Sequence, residues 1–314
     1  MAKRGCLGCS FPVLVIIAIV IIVTFAVGFV SGPLGVKIFG DQGLPFGLSQ
    51  PEIHLPASVV FQLFGYPITN SIIGAWITMA FLVLSSFIIT RRLKIVPGRL
   101  QTAFEFAIVS LYDFCRSVAG EKRARQFFPI VATIFLFVMF NSWISLLPGF
   151  GSIEVGEHGH TVHLLRGANT DINVPIALAL ASFLAVWYMG FKALGIGYLK
   201  CFFNVGKFLG GFGKLFTGKV KGGLGGILLG ILDIFVGLIE LLSVFIRLLS
   251  FTFRLFGNMT AGEILLLMMA FLIPYLVAIP FYGLELLVGF VQALIFGGLT
   301  LVFLTIATTS HDSH

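Results

Sequence analysis

The stretch that decides the fold is ILLGILDIFVGLIELLSVFIRLLSFTFRLFGNMTAGEILLLMMA, residues 227–270, which is apolar over almost its whole length. As one helix, these 44 residues would be about 66 Å long, roughly twice the 30 Å of a hydrocarbon core. No turn signal before Gly257 divides the stretch into two upright spans. The sequence therefore predicts one long helix that crosses the membrane at a steep tilt.

The same stretch carries a stripe of polar side chains. Spacings of 7, 3, 4, 3, 4 and 4 residues place on one helical face Asp233, Glu240, Ser243, Arg247, Ser250, Arg254 and Asn258. Each charged group at the bilayer centre costs about 2.5–3.5 kcal/mol on insertion scales. A line of such groups indicates a polar pathway or a surface for a partner.

The composition indicates a membrane protein, because 58% of the 314 residues are hydrophobic and only 11% are charged. Apolar runs long enough to cross a bilayer lie near residues 11–30, 70–90, 127–147, 172–191, 227–270 and 281–307. The predicted fold class is therefore an all-α polytopic membrane protein with about six membrane helices, the last two forming a long tilted pair.

The basic residues predict the orientation of these spans. Two precede the first span, eight lie between residues 91 and 125, and six lie between 192 and 221, so 16 of the 20 share one side. By the positive-inside rule, both termini are cytoplasmic. The net charge of +7 follows the span boundaries, so we expect no nucleic-acid partner.

The chain is predicted to be a single membrane domain, residues 1–314. Its segments are an extra N-terminal span (1–35), an outer loop and second span (36–95), an interfacial helix (96–126), a helical hairpin (127–192), a cytoplasmic loop (193–226), the tilted helix pair (227–307) and a tail (308–314). For the first span, an uncleaved anchor is favoured over a removed signal peptide. The helix within 96–126 either follows the cytoplasmic interface or packs on a partner.

A second polar zone lies away from the stripe. Glu263 is nine residues after Arg254, half a turn around the helix, and Glu285 and Gln292 share a face of the last span. Antiparallel packing would bring Glu285 towards Glu263 and Gln292 towards Arg254. Carboxyl groups can load and release protons, whereas arginine stays charged. The pattern predicts two offset proton pathways separated by a fixed positive charge.

Several motifs together resemble the a subunit of F-type ATP synthases. They are SFTFRLFGNMTAGEILLLMM (250–269), VPGRLQTAFEF (96–106), FNSWISLLP (140–148), ANTDINV (168–174) and VQALIFGGLTLVFLTIA (291–307). The resemblance implies a non-catalytic stator subunit beside a rotating ring of c subunits, with protons entering and leaving through two half-channels.

The resemblance also implies roles for individual residues. Arg254 would face the proton-carrying carboxylate of the ring, and Glu240 and Ser243 would belong to the cytoplasmic half-channel. The positions matching the outer half-channel and the surroundings of the arginine are Asn258, Glu263, Glu285 and Gln292. Ser250 and Arg247 match further positions of the long helix, and Asn141, Asp171 and Asn173 lie in motifs expected to line the outer entrance.

The implied partners are the c-subunit ring, b-type peripheral stalk subunits, the rest of the synthase and the lipid bilayer. The implied location is the bacterial plasma membrane, and no cofactor or metal is expected. In familiar members the pair matching Glu263 and Glu285 contains a histidine, whereas all six histidines here lie in loops or the tail.

Other interpretations remain open from the residues alone. A proton-coupled secondary transporter would also place charges within the membrane, but it should show internal repeats, and none is evident. The loop containing Glu154, Glu157, His158, His160 and His163 could bind zinc, although a solvated surface is favoured. For Arg247, contact with the ring or with headgroups is favoured over an ion pair with Glu240.

Overall fold

The computed structural model describes residues 11–33, 38, 57–91, 93–147, 154–155, 162–163, 165–195, 197–198, 220–273 and 276–309. Its α-helices within these ranges are α1 (Phe11–Ser31), α2 (Asn70–Arg91), α3 (Arg99–Ala119), α4 (Glu121–Ser145), α5 (Asn173–Leu194), α6 (Val220–Leu272) and α7 (Ala278–Ala307). All of them except α3 are long and apolar enough to cross a membrane. The predicted all-α polytopic membrane fold with six membrane helices is confirmed.

Two small antiparallel hairpins accompany the helices. Strand β1 (Val59–Leu63) pairs with β2 (Tyr66–Thr69), directly before α2, and β3 (Glu154–Val155) pairs with β4 (Val162–His163). The turn of the first hairpin has positive φ at Phe64 (51°) and Gly65 (85°), as tight two-residue hairpin turns require. Sequence reasoning assigned this segment to a loop and missed the strands.

Helix α6 runs unbroken for 53 residues, which corresponds to about 80 Å of helix axis. The prediction of one continuous helix is confirmed. It begins at Val220, seven residues before the predicted span, because extending an existing helix avoids the cost of nucleation even through several glycines. The side chains of residues 220–227 are outside the described part of the structure.

Two other spans begin earlier than predicted. Gly120 has φ 77°, a conformation that suits glycine, and it separates α3 from α4. The interfacial helix therefore ends at Ala119 and the next span begins at Glu121, where 126 and 127 were predicted. Helix α7 begins at Ala278, since Pro280 falls in its first turn, where proline costs no helix hydrogen bond.

Helix α4 lies at the centre of the packing. Gly297 of α7 approaches Val131 and Phe135 of α4 within 4 Å, and Gly289 of α7 lies against Ser142. Helix α3 packs across both: Tyr112 and Phe128 make an edge-to-face ring contact at 5.3 Å, and Phe114 lies 3.4 Å from the Cβ position of Gly298. The small residues of α7 let the helices approach closely, which positions the polar side chains described next.

Some predicted features lie outside the described residues. They include most of the cytoplasmic loop, the centre of the candidate zinc loop, and the thiols of Cys6, Cys9 and Cys201.

Candidate functional site

The register between α6 and α7 is fixed by two contacts. The carboxylate of Glu285 lies directly against Gly262, and the rings of Phe251 and Phe296 are 4.8 Å apart. In an antiparallel helix pair, the residue numbers of facing positions add up to a constant. The pairs Gly262–Glu285 and Phe251–Phe296 share one such sum. The predicted approach of Glu285 to the neighbourhood of Glu263 is present in the structure. The same sum places position 292 opposite position 255, beside Arg254.

Glycine at position 262 makes room for the Glu285 side chain. A Cβ atom built at Gly262 would overlap the Glu285 carboxylate. Glu285 itself is only 6% exposed, so it has little room to move aside. The pairing of a carboxylate with a glycine across two helices therefore depends on the residue types at both positions.

The polar stripe of α6 makes contacts along its own helix. Arg247 Nη2 donates to Ser243 Oγ at 3.0 Å and lies 3.7 Å from Glu240 Oε1. The Arg247 guanidinium also lies over the Phe303 ring of α7, 4.9 Å from its centroid. The ion pair with Glu240, which the sequence made the less favoured interpretation for Arg247, is therefore present, with Ser243 bonded to the same guanidinium. Contact of Arg247 with the ring or with headgroups stays a prediction.

Arg254 differs from the other arginines of this region. Its Nη2 donates to Ser250 Oγ at 3.4 Å, and among the described residues no carboxylate lies within ion-pair distance of it. Asn258, one turn further, is exposed on the same face. An arginine is always charged at physiological pH, so any carboxylate that pairs with Arg254 comes from outside the part of the chain described.

A buried polar cluster joins α2, α4, the 3₁₀ turn before α5, and α6, close to the contact between Gly262 and Glu285. Asn141 Nδ2 of α4 donates to Thr78 Oγ1 of α2 at 3.0 Å, and Asn141 Oδ1 accepts from the Asn169 backbone N–H at 3.2 Å. Asn169 Nδ2 donates to Ser142 Oγ at 3.3 Å, and Ser142 Oγ approaches Met259 Sδ of α6 at 3.2 Å. Asn141 is therefore a structural junction as well as a candidate pathway residue.

Asp171 and Asn173 form a local turn at the start of α5. Asp171 Oδ1 accepts from the backbone N–H of Asn173 at 3.1 Å and from its Nδ2 at 3.0 Å. The first of these bonds gives a partner to one backbone N–H at the start of the helix, whose N-cap residue, Ile172, makes no side-chain cap. The pair lies directly after the 3₁₀ turn Ala168–Thr170, which belongs to the buried cluster, so all three predicted residues of the two motifs lie in one region.

Sequence reasoning missed Arg166, which precedes that 3₁₀ turn. Arg166 Nη2 lies 3.3 Å from Glu263 Oε2, and Arg166 Nε donates to Thr170 Oγ1 at 3.1 Å. Arg166 was visible in the sequence only as a rare basic residue on the predicted outer side. That rarity was a signal, since a cation on a side with few other basic residues often has a specific partner.

The arrangement suits proton movement better than chemistry on a bound group. Carboxyl groups and the hydroxyl and amide groups between them can carry protons, whereas arginine cannot. Among the described residues, no three His, Cys, Asp or Glu side chains come together as metal ligands.

Comparisons with known proteins give the chain its context. The sequence profile of the family described as ATP synthase A chain matches residues 72–305. The protein called ATP synthase subunit a from Gloeobacter violaceus is 33% identical over 246 residues, 78% of this chain and 86% of that protein. Two proteins of Pelobacter propionicus are similar: ATP synthase subunit a 3 is 33% identical, covering 73% of this chain and 83% of its own length, and ATP synthase subunit a 1 is 31% identical, covering 75% and 86%.

Proposed function

Because the chain belongs to the ATP synthase A chain family, we propose that it translocates protons between two half-channels and a rotating ring of c subunits. The transmembrane proton gradient would thereby drive ATP synthesis at other subunits, and this chain would itself be non-catalytic. A charge that crosses the membrane releases about 2.3 kcal/mol per 100 mV, which is the energy available to turn the ring.

The observation that carries the proposal is the contrast among three arginines. Arg166 and Arg247 each pair with a carboxylate of this chain, whereas Arg254 has no such partner among the described residues. Beside the polar stripe that carries Arg254, apolar side chains of α6 are exposed, Phe253 by 57% and Leu249 by 38%. A partner helix that buried this face and offered one carboxylate would satisfy Arg254.

The arginine would act as an electrostatic barrier. An ionised carboxylate on the ring is attracted to Arg254, while a proton leaking directly between the half-channels meets a fixed positive charge in a medium of low dielectric constant. Along α6, Glu263 is about 14 Å from Arg254 and Glu240 about 21 Å away on the other side, at 1.5 Å per residue. These distances leave Arg254 as the separator between two acidic zones.

The outer half-channel would include Glu263, Glu285, Gln292 and Asn258, with its entrance near the buried cluster. The residues of that entrance are Asn141, Asp171 and Asn173. The other half-channel would include Glu240 and Ser243, with Ser250 close to the arginine. The ion pair of Arg247 with Glu240 fits a charged mouth that stays wet, because both side chains are partly exposed.

The remaining partners and the location complete the proposal. The c-subunit ring would cover the Arg254 face, b-type stalk subunits would hold the chain against rotation, and the whole chain would act as one membrane domain. The excess of Lys and Arg between the spans supports cytoplasmic termini in a bacterial plasma membrane.

The test measures proton flux in vesicles that contain the complete complex, with Arg254→Ala compared with wild type. We expect coupled flux to fall to background while the c subunit still co-purifies, because Arg254 is partly exposed and its described hydrogen bond goes to Ser250 of the same helix. Arg91→Ala is the matched control, since Arg91 lies at the far end of α2, over Phe87. Normal coupled flux with Arg254→Ala would refute the proposal and favour a secondary transporter.

A further inference from the structure

Arg166 projects from a backbone that is held on two sides. Its carbonyl oxygen packs directly against Gly74 of α2, where any Cβ atom would overlap it. The next residue, Gly167, packs against Ser145 of α4, whose Cβ lies 3.0 Å from an ideal Cβ at that position. The guanidinium of Arg166 is therefore presented to α6 from a fixed base between two membrane helices.

The side chain of Arg166 is held as well. Thr170 Oγ1 accepts from Arg166 Nε at 3.1 Å and itself donates to the carbonyl of Gly167 at 2.8 Å. The ion pair with Glu263 joins a side chain that is 12% exposed to one that is 44% exposed. A partly buried pair is screened less by water and salt than a surface pair, so this contact constrains the position of the Glu263 carboxylate.

Of the described charged groups on the elements around Glu263, Arg166 is the one shown to contact it, at ion-pair distance. Glu285 of α7 lies against the adjacent Gly262, and Asp171 on the loop is bonded to Asn173. The nearest charged residue on α6 itself is Arg254, nine residues away. Glu263 thus pairs with a cation held by the loop, and the residue before it on α6 packs against an acid of the neighbouring helix.

We propose that Arg166 is a positioning residue for proton transfer, which holds the ionised Glu263 carboxylate towards the loop and releases it when the carboxyl group becomes neutral. The inference rests on the proposed function, because it assigns Glu263 to the outer half-channel. A proton that arrives on Glu263 removes the negative charge, and the attraction to Arg166 falls with it. The freed side chain can then turn towards Glu285, while Arg166 keeps its own proton throughout.

Coupled proton flux in vesicles with the complete complex tests this role. The variants are Arg166→Gln, Arg166→Lys, Glu263→Gln and the double variant Arg166→Gln/Glu263→Gln. We expect Arg166→Gln to lower the flux about fivefold, Arg166→Lys to restore part of it, and Arg166→Gln to add little once Glu263→Gln is already present. Arg116→Gln is the matched control, because Arg116 pairs with Glu121 at 3.1 Å outside the candidate site and should leave the flux unchanged.

The outcomes separate this inference from the proposed function. Wild-type flux in Arg166→Gln overturns the positioning role. An equal loss with and without the Glu263→Gln substitution also overturns it, because a merely structural role would not depend on Glu263. Arg254→Ala is measured alongside: if that variant pumps normally, it is the proposed function that fails. If Arg166→Gln does not assemble, Thr170→Val replaces it, and a milder loss that disappears in the Glu263→Gln background supports the inference.

Discussion

The two polar regions of α6 differ in what completes them. Around Glu263, most polar side chains find partners within this chain, with contributions from α2, α4 and the loop before α5. Among the described residues of this region, Asn169 Oδ1 and Thr260 Oγ1 are buried without a hydrogen-bond partner. Along the stripe that ends at Arg254, the contacts run within α6 and the surrounding apolar side chains are exposed. The first region is organised as an interior and the second as a surface, which suggests that one is a conduit and the other meets a moving partner.

The largest expected effect separates two arginines of the stripe. Arg254→Gln should reduce coupled flux to background, because a partner carboxylate would lose its only fixed counter-charge in this region. Arg247→Gln should reduce the flux only a few-fold, since it leaves Glu240 with Ser243 and its own hydration. Flux is measured in vesicles of equal c-subunit content. Equal losses in the two variants would break the comparison between a paired and a partner-dependent arginine.

A second experiment asks whether the stripe is covered by the ring. In a background with Cys6, Cys9 and Cys201 replaced by Ser, Ser250→Cys should react with a maleimide about tenfold more slowly with the c subunit bound than without it, as a buried interface implies. The native Cys115 should stay silent: it is fully buried, and burial raises the pKa of its thiol to about 11, so the reactive thiolate is scarce near neutral pH.

The rate at which the maleimide labels Cys115 should depend on pH. Labelling should increase as the pH rises towards that raised pKa. Rapid labelling of Cys115 at pH 7 would contradict its burial, and unprotected labelling of Ser250→Cys with the ring bound would place the ring elsewhere.

A third experiment disturbs the interior of the other region. Gly262→Ala should lower both coupled flux and stability, because the added Cβ overlaps the Glu285 carboxylate and overpacking of this kind costs about 1–3 kcal/mol. Gly283→Ala of α7 is the matched control: among the described residues, no atom beyond its own stretch of helix lies within 4 Å of its Cβ position. Thermal unfolding in detergent and vesicle flux are measured for both. Wild-type behaviour of Gly262→Ala would mean that Glu285 does not occupy this recess.

The sequence predicted the helices well because two properties are local: the length of an apolar run, and which side chains share one face of a helix. The approach of Glu285 to the Glu263 region followed from the seven-residue spacing to Gln292 and from antiparallel packing. The ion pair of Arg166 with Glu263 was missed because its partners are 97 residues apart and no periodicity links a loop to a helix. The ion pair of Arg247 with Glu240 was not the favoured prediction, because residue spacing does not show that one guanidinium can contact both Ser243 and Glu240. The β1–β2 hairpin was missed because its turn places Phe64 at a positive φ, which a bulky side chain rarely adopts, so Phe-Gly is not a typical turn signal.

The smallest expected effect compares single polar side chains. Asn169→Ala removes buried hydrogen bonds to Ser142 and Val138 and should cost about 1–3 kcal/mol of stability. Ser250→Ala, on the exposed stripe, should change stability by less than about 0.5 kcal/mol. Thermal unfolding of the purified complex in detergent compares them. A larger destabilisation by Ser250→Ala would reverse the distinction between interior and surface.

The unbroken length of α6 has a mechanical consequence. Sharp helix bends arise at prolines, at pairs of Gly or Ser, at bulges or at inserted groups. Helix α6 contains no proline, and its glycine pairs, Gly222–Gly223 and Gly225–Gly226, lie near its start, far from Arg254. A sideways force on the Arg254 face would therefore be transmitted along a continuous helix that has no bend site near Arg254. Such a helix would move at its ends or at its contacts with α5 and α7 before it bent in the middle. Arg254 would therefore keep its position while the proposed ring rotated past it.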